Sequence, residues 1–356
     1  MNLFRLSFFL MISAASGQVF SLMHPAEPMP ENRTVIWTPT FQAAWDALNQ
    51  DLGGKPNKVE PPNEVMKLLD GFVWNADASM PKGLWKAWAG PATQAFVDEV
   101  NRQAAEITMD DQKPFHLATE SPGSRVAFAM LSRQVTFKKA FLRAKHDAMG
   151  FHAGGKMHPV AYFGLPRKNA ATRGEHVRVL AYRPAEHSHA IQIECRENDD
   201  TVVLYQPAKQ LDFLTDCSWL RTWRREQFDA ENLSGQWNDP RIHDMDEIRI
   251  PYSNIEVDSD FTSQLTSSRY YENGPWRIAR AGQISRFRLH EKGAAVEVRS
   301  YIAADPFGGV ERPIIVPRRF YYDRPFFVFL WRTNAEWPYF GAWIGDDSTL
   351  TPMPES

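Results

Sequence analysis

Short apolar runs, one after another, fill the chain from Arg125 onward and leave little freedom in what it can fold into. "RVAFAMLSRQVTF" (125–137), "HVRVLAYRP" (176–184), "HAIQIECRE" (189–197) and "TVVLYQP" (201–207) are separated by polar turns. Their length and their β-branched and aromatic content predict consecutive strands, the first of them long. A helix over "QLDFLTDCSWLRTWRREQF" (210–228) interrupts them. The strand "EIRIPYSNIEV" (247–257), a short helical piece and "GQISRFRLHEKG" (282–293) follow. Two aromatic strands, "FFVFLWR" (326–332) and "WPYFGAW" (337–343), close the chain.

The N-terminal third adds helices. Val35, Ile36 and Trp37 read as a short strand, after which Thr38 is expected as a helix N-cap and Pro39 as the first helical residue. Phe41, Ala44, Trp45, Leu48 and Leu52 share one helical face, and Gly53 and Gly54 end the helix. In "ATQAFVDEVNRQAAEI" (92–107), Phe96, Val97, Val100, Ala104 and Ile107 share another. No repeat, linker or composition break divides the sequence. The expectation is one α+β domain, 19–356, of mixed β-sheets with surrounding helices.

Residues 1–18, "MNLFRLSFFLMISAASGQ", have a basic start at Arg5, an apolar run and small residues from Ala14. That is the pattern of a secretory signal peptide, so a secreted or periplasmic protein is expected. The composition, 43% hydrophobic with a net charge of −3, supplies a core and no basic surface for nucleic acid or membrane. Two cysteines, Cys195 and Cys217, cannot make a disulfide scaffold, and sequence leaves their pairing open.

Sites of catalysis were sought and not found. The chain has no G-x-S-x-G elbow, no G-x-G-x-x-G and no P-loop; "HAGGKMH" (152–158) lacks the required spacing. His187 and His189 lie two apart and suggest a metal pair, but no third ligand is identifiable, and surface histidines in a polar turn are the simpler reading. "HDMDE" (243–247) reads as a solvated turn. Neither an enzyme activity nor a cofactor is expected. Asn32 and Asn232 begin Asn-x-Ser/Thr sites.

One segment stands apart. "EKGAAVEVRSYIAADPFGGVERP" (291–313) begins as a strand and ends in loop residues. Ala294, Val296, Val298, Ser300, Ile302 and Ala304 make a small or apolar face; Ala295, Glu297, Arg299, Tyr301, Ala303 and Asp305 make a mostly polar one.

In order and spacing, "IPYSNIEVDSDFTSQLTSS", "ISRFRLHEKGAA" and "RRFYYDRPFFVFLWRTNAEWPYFGAW" resemble the serpins. The resemblance implies a serpin-like α+β fold with an exposed reactive-centre-type loop. It makes Glu291, Lys292, Gly293 and Ala294 the hinge of that loop, and Phe307–Gly308 the candidate reactive bond. Phe320, Asp323, Arg324, Pro325, Phe326, Phe340 and Gly341 carry the closing signature. Upstream, "TVIWTPTFQAAWDAL" and "VAFAMLSRQVTFKKAF" resemble the strand into helix B and the long central strand. Thr38 and Gln283 then fall at the shutter, with Gln283 where the family has histidine. The chain also departs from the pattern. No long first helix precedes "TVIWTP", and the stretch between the two N-terminal helices is short. Val296, Glu297, Val298 and Arg299 are bulkier than the family's run of alanines.

The resemblance implies a monomeric inhibitor of an extracellular or periplasmic serine or cysteine endopeptidase, and Phe307 before the bond suits a chymotrypsin-like one. Its alternative is a binding protein on the same fold without loop insertion. A further alternative is that 294–304 is already a permanent strand and the Gly- and Pro-containing stretch after it merely a connection.

Overall fold

A computed structural model describes residues 19–56, 58–107, 125–144, 147–168, 170–197, 199–225, 239–266, 268–271, 275–293 and 317–353. The chain first forms β1 (Phe20–Leu22), β2 (Val35–Trp37), α1 (Thr40–Asp51), β3 (Val59–Glu60), α2 (Glu64–Gly71) and α3 (Ala76–Ser79). Next come β4 (Trp85–Pro91), α4 (Gln94–Ile107), β5 (Arg125–Leu131), β6 (Leu142–Arg143), β7 (Met149–Ala153), β8 (Lys156–Val160) and β9 (Tyr162–Leu165). α5 (Ala170–Arg173), β10 (Val177–Arg183), β11 (Ser188–Glu194), β12 (Asp200–Gln206) and α6 (Phe213–Arg225) make the middle. β13 (Glu247–Pro251), β14 (Ser253–Asp260), α7 (Thr262–Leu265), β15 (Arg269–Tyr271), β16 (Pro275–Arg277) and β17 (Gly282–Leu289) follow. β18 (Arg319–Tyr321), β19 (Phe326–Arg332) and β20 (Phe340–Ile344) end it.

The apolar runs become a seven-stranded sheet in the order β1-β2-β20-β19-β12-β11-β10. It is buried on both sides, which is why its strands read as continuous apolar runs. Val202, Leu204, Phe326, Val328 and Leu330 face one cluster, while Val203, Tyr205, Phe327, Phe329 and Trp331 face the other. Each large side chain buried this way contributes roughly 1.5–3 kcal/mol. α6 seals the second face with Phe213, Cys217, Leu220 and Trp223. Gly341 of β20 permits the close approach, because a Cβ there would lie 2.8 Å from the Phe213 ring.

The first face is covered by β18-β13-β9-β6 and by the pair β14–β17. A second two-stranded unit, β4–β5, has α4 on one side. Trp88, Phe128 and Met130 meet Val100 and Ala104 of that helix, and Trp85 and Leu131 turn to the central cluster.

Several expectations change. Pro39, not Thr38, is the N-cap of α1, and it makes no side-chain cap bond. The buried stripe of α1 is Gln42, Ala43, Trp45 and Asn49, a polar face satisfied by the next segment. Gln42 Nε2 donates to the Leu69 carbonyl at 2.9 Å, and Trp45 Nε1 donates to Asp70 Oδ1 at 2.8 Å. Phe41, Ala44 and Leu48 are only half-buried. The stretch 247–257 is two strands in different sheets, broken at Tyr252. The long strand over 125–137 stops at Leu131, and Thr136 and Phe137 return only as isolated bridges. Between the two long N-terminal helices stand α2 and α3, capped by the Asn63 and Asn75 side chains. Cys195 and Cys217 are both free and buried, one in each cluster on either side of the sheet.

α6 also buries Asp216 completely, with no hydrogen-bond partner for either carboxylate oxygen among the described residues. Burial, with Asp212 adding to it, pushes its carboxyl up to about 8. An unfolded aspartate releases its proton near pH ~4. The folded state therefore holds more protons between those two values, and stability falls as pH rises through that window. Asp216→Asn removes this loss. Thermal unfolding is expected to show the variant's advantage over the parent growing from pH 5 to pH 8; an equal difference at both would contradict it.

Candidate functional site

Three stretches meet where β17 ends. His290 and Gly293 exchange backbone hydrogen bonds, each at 3.1 Å, so Glu291 and Lys292 form the tip of a tight turn. Gly293 also pairs antiparallel with Thr136, and Phe137 N donates to the Lys292 carbonyl at 2.9 Å. Phe141 N donates to the Glu291 carbonyl at 2.8 Å. Only glycine fits here. Its φ is +118°, and a Cβ would lie 2.5 Å from the Val135 carbonyl oxygen and 2.8 Å from Thr136 Cα.

The turn brings the stretch beyond β5 and the end of β17 together, and the line between the two strands is a candidate slot. Gly293 is antiparallel to Thr136 on one side and to His290 on the other, so β5 and β17 approach it in the same direction. Among the described residues, β5 pairs only with β4 and β17 only with β14. Each keeps a second edge to which no described strand is bonded.

Side chains hold the turn. Arg143 of β6 reaches Glu291 Oε1 at 3.2 Å and donates to the Tyr252 hydroxyl, also at 3.2 Å. Burial opposes ionisation of Glu291, but backbone, Tyr252 and Arg143 contacts outweigh it and hold the carboxyl below its usual range.

At the foot of the slot, Gln283 joins three elements. Its Nε2 donates to Ser21 Oγ at 2.8 Å, and its Oε1 accepts from Thr40 Oγ1 at 3.3 Å. Thr38 does not touch Gln283. Its hydroxyl lies 3.3 Å from that of Thr40 and donates to the Tyr339 carbonyl at 3.2 Å. The expected shutter pair is thus a relay through Thr40, and sequence reasoning missed both Thr40 and Ser21.

Arg318, one residue beyond an undescribed stretch, is 1% exposed and paired with Asp246, which is fully buried. Its Nη2 meets Asp246 Oδ2 at 2.7 Å, its Nε meets the same oxygen at 3.1 Å, and its backbone N meets Oδ1 at 2.9 Å. Nη1 donates to the Asp239 carbonyl at 2.7 Å, and Nη2 to that of Arg241. The solvated-turn reading of 243–247 is therefore wrong: Asp246 is a buried anchor.

His189 is likewise no surface residue. Its ring lies 5.8 Å from that of Phe320 and 4.7 Å from that of Tyr322, and burial drives it down to about 3. His187 sits in the preceding turn with φ +53°. Among the described residues, no group of three or more His, Cys, Asp or Glu is placed to hold a metal.

Of the signature positions, Phe320 and Phe326 are fully buried. The Asp323 carbonyl accepts from His152 N at 2.7 Å, and Arg324 N donates to Gln206 Oε1 at 3.3 Å. Pro325 leads directly into β19. Phe340 stacks on Phe287 at 4.5 Å, tying the seven-stranded sheet to β17. Ala294, Phe307 and Gly308 lie outside the described residues, as does the stretch 1–18.

Human glycosylated kallistatin is similar in structure, with a TM-score of 0.53 at 11% identity, over 91% of this chain and 93% of that chain. The chain has a divergent serpin fold. Tengpin, a thermophilic serpin in its native state, matches with TM-score 0.53 at 11% identity, over 89% of each chain. Human thyroxine-binding globulin, solved with its hormone, matches with TM-score 0.50 at 12% identity, over 88% of this chain and 92% of that one. No protein-family model matches the chain, and no curated protein matches it by sequence. Gly293, Gln283 and the Arg318–Asp246 pair are held by separate contacts within this fold.

Both ends invite substitution. Gly293→Ala forces a strained φ and a backbone clash, and urea unfolding is expected to show a loss of about 2 kcal/mol or more. Arg318→Met leaves Asp246 buried and unpaired, which costs about 3–5 kcal/mol. Adding Asp246→Asn is expected to recover part of that loss; no recovery would show that the pair itself is not the anchor.

Proposed function

We propose that the protein is an exported, monomeric inhibitor of an extracellular or periplasmic endopeptidase of the serine type. It presents residues 294–313 as bait and, once cut, takes 294–304 into the slot between β5 and β17. The observation that carries this reading is Gly293, bridged antiparallel both to Thr136 beyond β5 and to His290 after β17. A chain continuing from it in the same register would set Ala294 opposite Leu289, Val296 opposite Phe287 and Val298 opposite Ser285. Those three β17 residues are buried. The small and apolar face of the segment would thus meet the core, and the Glu297–Arg299 face would meet solvent.

Main-chain hydrogen bonds to the neighbouring strands would drive such strand addition. The protease supplies the catalysis, and this chain is its substrate and trap. A chymotrypsin-like target suits Phe307 before the reactive bond. Arg312 is a poorer site because Pro313 follows it.

A second reading has its own support. The Arg143–Glu291 pair and the bulk of Val296–Arg299 both resist movement of the hinge, as suits a binding protein that does not insert its loop. Human thyroxine-binding globulin, which carries thyroxine, matches in fold.

Incubation with a chymotrypsin-like protease separates the two. Inhibition predicts a complex that survives SDS, and a cleaved form whose melting temperature rises on the order of 10 °C, given about 2–4 °C per kcal/mol. Clean cleavage near Phe307 with no complex and no rise would overturn inhibition and favour the binding protein.

A further inference from the structure

The end of α6 gathers more positive charge than its packing requires. Arg221, Arg224 and Arg225 line a cavity of about 120 Å³, together with Thr333, Asn334 and Ala335 of the turn after β19. The Arg224 guanidinium lies 4.5 Å from the centre of the Trp331 ring. It donates to neutral oxygens: Nε to Gln192 Oε1 at 3.3 Å, and Nη2 to Thr201 Oγ1 at 3.4 Å. Nη2 also meets the Arg332 and Thr333 carbonyls at 3.2 and 3.3 Å. Arg178 of β10 stands behind, its Nη1 donating to the Arg224 carbonyl at 3.5 Å. Its Nη2 is buried and has no hydrogen-bond partner among the described residues.

Little negative charge answers this group. Glu336 Oε1 accepts from Arg221 Nη1 at 2.5 Å, but among the described residues no carboxylate pairs with Arg178, Arg224 or Arg225. Burial, with Arg178 and Arg225 adding to it, lowers the Arg224 guanidinium to about 10. Burial lowers Arg178 as well, against the pull of Glu194. A cation at a helix C-terminus is favourable, and the carbonyls that Arg224 caps account for its place. They do not account for Arg225, whose side chain lines the cavity and bonds to no described residue, or for the unpartnered donor of Arg178. Like charges drawn partly out of water call for an anion.

We propose that this cavity binds a phosphate or sulfate group, as the free ion or as a monoester, with Arg224, Arg225 and Asn334 as its donors. Guanidinium groups suit such oxyanions because their planar forks give paired, charge-assisted bonds. A dianion also matches the local excess of positive charge better than a single carboxylate does. The site shares no residue with the turn at Gly293 and does not depend on loop insertion.

The test is titration calorimetry on the full chain at fixed ionic strength, with inorganic phosphate, inorganic sulfate and glycerol phosphate as probes and chloride as the blank. Arg225→Gln, Asn334→Asp and, as a charge control, Arg102→Gln on α4 are titrated beside the parent. Saturable binding at one site is expected, weakened about ten-fold in Arg225→Gln. It is expected to be lost in Asn334→Asp, whose carboxylate takes the anion's place, and unchanged in Arg102→Gln. Without any of the ions, Asn334→Asp is expected to melt above the parent, because it supplies the missing negative charge. Glycerol phosphate binding as tightly as inorganic phosphate would assign the ester as the ligand, and binding of the inorganic ions alone would assign the free ion. No binding by the parent, equal weakening in Arg225→Gln and Arg102→Gln, or an Asn334→Asp protein that still binds or melts below the parent would overturn the proposal.

Discussion

Backbone pairing at Gly293 ties the halves of this molecule together. The residue is bonded to the end of β17 and to the stretch beyond β5, in a conformation and a space that a side chain would not tolerate. Two separate strand pairs, β14–β17 and β4–β5, are thereby brought to one point and aligned in one direction. The candidate slot is the line between β5 and β17 where the pairs meet. Everything argued about insertion follows from which strand edges that meeting leaves without a described partner.

The seven-stranded sheet provides the rigid support. Its two buried faces hold large side chains in alternation, and α6 and β13 close it from either side. β17 and the turn after it are attached to the rest by a few contacts: the polar ones from Arg143 to Glu291 and from Gln283 to Ser21 and Thr40, and the stacked rings of Phe287 and Phe340. The buried Arg318–Asp246 pair fixes the chain where it leads into β18. The molecule thus joins a core that cannot shift cheaply to an edge held by individual bonds, and individual bonds are where mutation can tune rate without unfolding the protein.

What the sequence made legible follows from periodicity. β10, β12 and β19 were expected within a residue, and β11 and β20 with one end three residues off, because continuous apolar runs have one economical home, a sheet covered on both faces. α4 was expected because Val97, Val100 and Ala104 repeat at helical spacing. The hinge residues Glu291–Gly293 came from resemblance, and their turn could not be read from spacing. The missed features depend on partners far away in sequence. Asp246 looks like part of a polar turn until Arg318 is brought against it, and His189 looks like a surface residue until Phe320 and Tyr322 enclose it. Ser21 carries no signal of its own, since an isolated serine after a signal-like stretch has no period to betray its contact with Gln283. The α1 face was misjudged because its buried residues include Gln42 and Asn49, whose bonds to 69–70 make them acceptable inside.

The central claim is that 294–304 is a strand in reserve, placed in the slot only after cleavage. It is tested most directly by pairing Arg299→Cys with Ile284→Cys in one protein. In the register set by His290 and Gly293, these two positions would stand opposite each other on the outer face, with Cα atoms about 4.5–5.5 Å apart. Cys195 and Cys217 are buried, so neither competes for a cross-linker. The account predicts that the engineered pair cross-links readily after cleavage near Phe307 and not before. A pair that links equally well in the uncut protein would mean a permanent strand, and one that never links would mean that the slot stays empty; either would contradict it.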